Sequence, residues 1–164
     1  PRRSPEILAV SATASFTPAA ATYGAGDIQG VAQEFVFLDK DGSPPPAGSL
    51  LRILTAVTKI GVTSIPSGMT SHLLQMYGAT PTGTPQADND LWAAAAGDQS
   101  IYKGEISLGT PLDKGAFLYV KSQYIDFDIR LDSGKTTLFG QFVTNGGHTA
   151  TAVARAITLH AEPR

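Results

Sequence analysis

Ser133-Gly134-Lys135-Thr136-Thr137 is the closest approach in this chain to a phosphate-binding loop. Such a loop needs a glycine five positions before Gly134, where the chain has Ile129, and it must lead into a helix whose amides hold the phosphate. Both flanks read as strands, so residues 132–135 are expected to form a hairpin turn. Asp39-Lys40-Asp41-Gly42 has the opening of a calcium loop, but an EF-hand requires glutamate at its twelfth position, here Leu50, and a helix on each side. A surface turn is the expectation. His72, His148 and His160 lack ligand spacing along the chain, so no metal site is assigned, and His160 reads as a surface residue. Asp126 and Asp128 stand two apart and could act as a carboxylate pair of the glycosidase kind. With Arg130 beside them they read instead as a charge-compensated, solvated face. There is no cysteine for a thiol nucleophile or a disulfide, and no Gly-x-Ser-x-Gly elbow. The chain is therefore expected to be non-enzymatic, with no catalytic residues, no cofactor and no metal.

The elements that would position these side chains are strands. In Ile125-Asp126-Phe127-Asp128-Ile129-Arg130-Leu131 apolar and charged residues alternate, which sends the odd-numbered residues inward and Asp126, Asp128 and Arg130 outward. Extended segments are expected at 7–16, 28–38, 50–62, 71–77, 101–108, 117–131, 136–144 and 152–161, separated by Gly/Pro/Asn/Asp turns and by the triple-proline loop at 44–46. Leu51, Ile53, Thr55 and Val57 read as one face, as do Ile157, Leu159 and Ala161, and Phe35 shares a face with Phe37. Within 117–131 the apolar phase switches near Tyr124, which requires a bulge or a bend between sheets. Only residues 90–96, with Asp88 or Asn89 as N-cap and Gly97 as stop, read as a helix, anchored by Trp92, the single tryptophan. The fold class is all-β, an antiparallel, jelly-roll-like β-sandwich of about eight strands with one short helix. Residues 1–20 form an N-terminal arm and first strand, and residues 21–164 form the sandwich domain.

Charged residues make up only 16% of the 164, against roughly 25% in typical soluble domains. A chain so poor in charge either has extensive turns and uncharged polar surface or hides much of its surface in an assembly. A net charge of −2 argues against a nucleic-acid partner, and no apolar run is long enough to span a bilayer. Pro1-Arg2-Arg3-Ser4-Pro5 resists regular structure and carries two of the few arginines, and the Ser/Thr/Ala mixture after it does not read as a signal peptide. A chain that starts at Pro1 suggests removal of an initiator methionine. This end reads either as a frayed tail or as an arm that orders against a neighbouring subunit, with Arg2, Arg3, Ile7 and Leu8 as its partner contacts.

Three phrases carry a resemblance: Thr22-Tyr23-Gly24-Ala25-Gly26-Asp27-Ile28, then Leu73-Leu74-Gln75-Met76-Tyr77-Gly78-Ala79-Thr80-Pro81-Thr82, then Leu138-Phe139-Gly140-Gln141-Phe142-Val143-Thr144 leading into a glycine turn. Across residues 21–161 the chain resembles the small β-sandwich virion structural proteins of tailed bacteriophages, of the capsid decoration or cement type. The resemblance implies a protein made in the host cytoplasm that binds the capsid exterior, with the major capsid protein as partner. It supplies no catalytic residues, and residues 1–20 and the triple-proline loop depart from it. An exposed edge strand in a lone monomer makes a homo-oligomer, dimer or trimer, an expectation. Two other readings stand beside it. One is a tail, head–tail or fibre-associated virion module; the other is a carbohydrate-binding or hydrolytic sandwich using Asp126, Asp128 and Trp92.

Overall fold

A computed structural model describes residues 8–82, 87–123 and 125–164. The strands are β1 (Val10–Phe16), β2 (Thr22–Tyr23), β3 (Gln33–Val36), β4 (Leu50–Ile60), β5 (His72–Tyr77), β6 (Tyr102–Gly109), β7 (Leu112–Asp113), β8 (Leu118–Ser122), β9 (Phe127–Arg130), β10 (Thr137–Thr144), β11 (His148–Thr149) and β12 (Arg155–Pro163). All pairings between them are antiparallel. One sheet runs β1-β12-β4-β8-β7, with β9 continuing along β4 beyond β8; the other runs β3-β10-β5-β6; β2 and β11 form a small third pair. The chain is an all-β antiparallel sandwich, and every segment expected to be extended contains a strand.

The alternation seen in the sequence builds the core. Phe16 stacks on Phe142 with centroids 5.7 Å apart and lies 6.2 Å from Phe35, joining β1 of one sheet to β10 and β3 of the other. Around them Phe37, Leu74, Met76, Leu138, Ile157 and Leu159 are buried. Each such side chain contributes roughly 1.5–3 kcal/mol of burial. One long side of the sandwich is closed where Ser11 and Leu38 exchange both backbone hydrogen bonds, at 2.9 and 3.0 Å.

The phase switch has a local cause. Opposite β12, His160 faces Thr55 and Ala161 faces Ile53, so Leu54 is an extra residue in β4. Opposite β8 and β9, Ser122 faces Ala56 and Phe127 faces Ile53, so the chain carries two more residues between these pairings than β4 does, and Ile125 N–H donates to the Leu54 carbonyl. Asp126 turns the chain there with φ of +44°, in the left-handed region. Both halves stay in one sheet, so the irregularity is a bulge and not a bend between sheets. Its consequence corrects the expected β4 face: Leu51 and Ile53 are buried, but beyond the bulge Ala56, Thr58 and Ile60 take the inward positions. Thr55 and Val57 are only half-buried.

Two further expectations are corrected. Lys135 N–H donates to the Asp132 carbonyl at 2.9 Å, and Gly134 takes a φ of +74°, so 132–135 is a tight turn. It links β9 to β10, which lie in different sheets, and is therefore a crossing and not a hairpin. Residues 90–96 do not form a helix. The backbone of 89–92 pairs instead with 26–28: Asn89 N–H donates to the Ile28 carbonyl, Ile28 N–H to that of Asp90, and Trp92 N–H to that of Gly26. Asn89 has a φ of +70°, and only Ala96–Asp98 makes a 3-10 turn. Two turns of alanine cannot stabilise a helix alone, so tertiary hydrogen bonds decide the conformation.

Candidate functional site

The long connection between the neighbouring strands β5 and β6 is described at residues 78–82 and 87–101, and these fold over the outer face of the four-stranded sheet. A connection of this length inside a compact domain is commonly functional. Its anchor is Asp88, whose carboxylate accepts from Ala19 N–H at 2.9 Å, from Gly30 N–H at 2.6 Å and from the Tyr23 hydroxyl at 2.8 Å. Burial, then the hydrogen bond and charge of Asp88, push the Tyr23 hydroxyl well above its ordinary range. Asp88 therefore ties the connection to the 19–30 segment instead of capping a helix.

Pinned at Asp88, the connection lays Trp92 on residues that alternation places on the sheet's outer face. The indole N–H reaches the Tyr77 hydroxyl and Gln141 Oε1, both at 3.1 Å. Tyr102 lies 5.4 Å from Tyr77 and 6.1 Å from Trp92, ring to ring. Its hydroxyl donates to Gln75 Oε1 at 2.7 Å, and Gln75 Nε2 donates to Glu105 at 2.9 Å. Burial raises both tyrosine pKa values, Asp98 adding to the effect at Tyr77 and Glu105 at Tyr102. Between these rings and Ala94–Ala96 lies a cavity of about 270 Å³. Tyr77 and Tyr102 were not singled out from sequence, because their pairing across β5 and β6 depends on strand register.

A second polar group is enclosed at the sandwich end capped by β2 and β11. His72 and His148 come together there, with centroids 6.2 Å apart and rings nearly perpendicular. His72 is fully buried, stacks on Phe142 at 4.6 Å, and neither ring nitrogen finds a hydrogen-bond partner among the described residues. Burial, reinforced by His148 and Arg155, pushes its pKa down to about 3. His148 meets Gln29 Nε2 and the Gly146 carbonyl, each at 3.0 Å, an arrangement met by a neutral ring protonated at Nδ1. Arg155 is fully buried at the start of β12 and donates through Nη1 to the carbonyls of Thr151 and Val153. Its own burial lowers its pKa to about 10, with Tyr23 and Asp88 opposing the shift. His160 is elsewhere, exposed on the outer face of the six-stranded sheet. Among the described residues no group of three metal-ligating side chains forms.

Asp126, Asp128 and Trp92 do not form one site. Asp126 is ion-paired with Arg52, which lowers its carboxyl pKa, and Asp128 is exposed on β9, both on the six-stranded sheet. Trp92 sits on the other sheet. Asp39 closes the 39–43 turn by accepting from the Asp41 and Ser43 amides, both at 2.9 Å. Of the residues read as arm contacts, Leu8 is half-buried, whereas Arg2, Arg3 and Ile7 lie outside the described residues. Comparison with protein-family models and with curated proteins returns no match for this chain.

Proposed function

We propose that this protein is a capsid decoration, or cement, protein that binds the outer shell of a tailed-phage virion and bridges neighbouring major capsid subunits. The observation that carries the reading is the uneven dressing of the two sheets. The four-stranded sheet is roofed by the 78–101 connection, whereas the six-stranded sheet keeps a broad outer face, with small polar side chains such as Thr13 and Thr158 beside Val57 and Tyr119. The same face carries Arg52, Lys59, Lys121, Asp128 and Arg130, with Arg52 paired to Asp126, so it can dock on a shell of complementary charge, and repeated weak contacts around that shell accumulate as avidity. The virion assignment itself comes from the three resembling phrases.

In this reading the N-terminal residues, with Arg2, Arg3, Ile7 and Leu8, reach the shell or a neighbouring copy. Deleting residues 1–5 should leave the thermal midpoint of the isolated protein unchanged and reduce co-sedimentation with purified capsids by about tenfold, near 1.4 kcal/mol. Undiminished capsid occupancy would remove the arm from the account.

A further inference from the structure

We infer that the cavity between the 78–101 connection and the four-stranded sheet is a binding site for one pyranose ring of a neutral glycan. The inference goes beyond capsid attachment, since the cavity lies on the sheet opposite the proposed docking face.

Three observations carry it. The first is shape: at about 270 Å³ the cavity is smaller than a drug-sized pocket and suited to a single sugar ring. The second is the lining. The half-buried Tyr102 supplies an aromatic face for the C–H side of a pyranose over a floor formed by the buried Tyr77, Ala94 and Ala96 keep the opposite wall low, and the exposed Gln99 offers an amide at the rim. The third is preorganisation. The chain Trp92–Tyr77 and Tyr102–Gln75–Glu105 fixes ring positions before any ligand arrives, and Asp88 holds the connection down. A rigid aromatic site loses little entropy on binding.

The lining also discriminates among ligand classes. Among the described residues it contains no Lys or Arg, which disfavours phosphate and carboxylate ligands. Asp98 is engaged by the Thr82 amide at 3.0 Å and hydroxyl at 3.3 Å, which ties it to holding the connection and leaves the Tyr102 ring and the Gln99 amide to meet the ligand. Those features together match an uncharged sugar better than a cation.

Trp92 is the only tryptophan and touches the lining residues Tyr77 and Tyr102, so its emission reports on the wall of this cavity. The isolated protein would be titrated with the methyl glycosides of glucose, galactose, mannose and N-acetylglucosamine. The proposal predicts a saturable change in emission with at least one of them, at the millimolar affinity typical of single sugars. Ala94→Phe, an exposed position that fills the cavity, should weaken that response at least tenfold without altering the thermal midpoint, and Tyr102→Ala should weaken it similarly. Absence of a saturable response to all four glycosides would overturn the proposal. So would saturation by choline chloride in their place, or undiminished binding by Ala94→Phe. Because capsids are absent from the experiment, its outcome is independent of the decoration reading.

Discussion

His72 is the residue whose chemistry most constrains solution behaviour. A fully buried imidazole with its pKa lowered to about 3 stays neutral in the folded state, while the unfolded chain titrates it near 6.5. Below about pH 6.5 the unfolded state binds the extra proton, so stability falls as pH drops toward 3, by up to about 1.4 kcal/mol per pH unit. The charged and titratable neighbours, His148 and Arg155, would repel the new cation. Urea denaturation at pH 7 and pH 4 should show this loss in the native protein and a clearly smaller loss in His72→Phe; equal losses would contradict the assignment. Asp88 offers a second test at this scale. It answers three donors, so Asp88→Ala should cost about 3 kcal/mol or more and shift Trp92 emission to the red as the connection loosens. Neither residue announces this role in sequence. Asp88 looks like a helix cap, and the two histidines lie far apart until β5 and β11 meet.

At the scale of elements, strand alternation was legible because it is local: Ile157, Leu159 and Ala161 face inward, as do Ile129 and Leu131. The phase of β4 was not, because one extra residue at Leu54 transfers every later side chain to the other face without altering composition. The bulge makes a sharp prediction. Val57→Lys, on the outer face, should change stability by no more than about 1 kcal/mol, whereas Ala56→Lys buries an unpaired charge and should cost about 4 kcal/mol or more. Comparable effects would place the bulge elsewhere. The two-residue strands β2, β7 and β11 were also missed, since so short a run carries no periodicity. The alanine run at 93–96 misled for a related reason: propensity favours helix there, but the backbone of 89–92 finds partners on 26–28.

For the molecule as a whole, sequence gave the all-β sandwich through patterning and turn spacing, and left the sites to tertiary register. The Trp92–Tyr77–Tyr102 cluster gathers residues from two strands and a long connection, a juxtaposition visible only once β5 and β6 pair. The resulting object has one roofed sheet and one open sheet. That asymmetry suits a protein that attaches by one side and presents the other. The most direct test of attachment is quantitative mass spectrometry of purified virions carrying this gene, with copies of this chain counted against the major capsid protein. The account predicts a fixed ratio, one copy for every few shell subunits. Absence from the particles, or a few copies per virion as in a tail component, would contradict it.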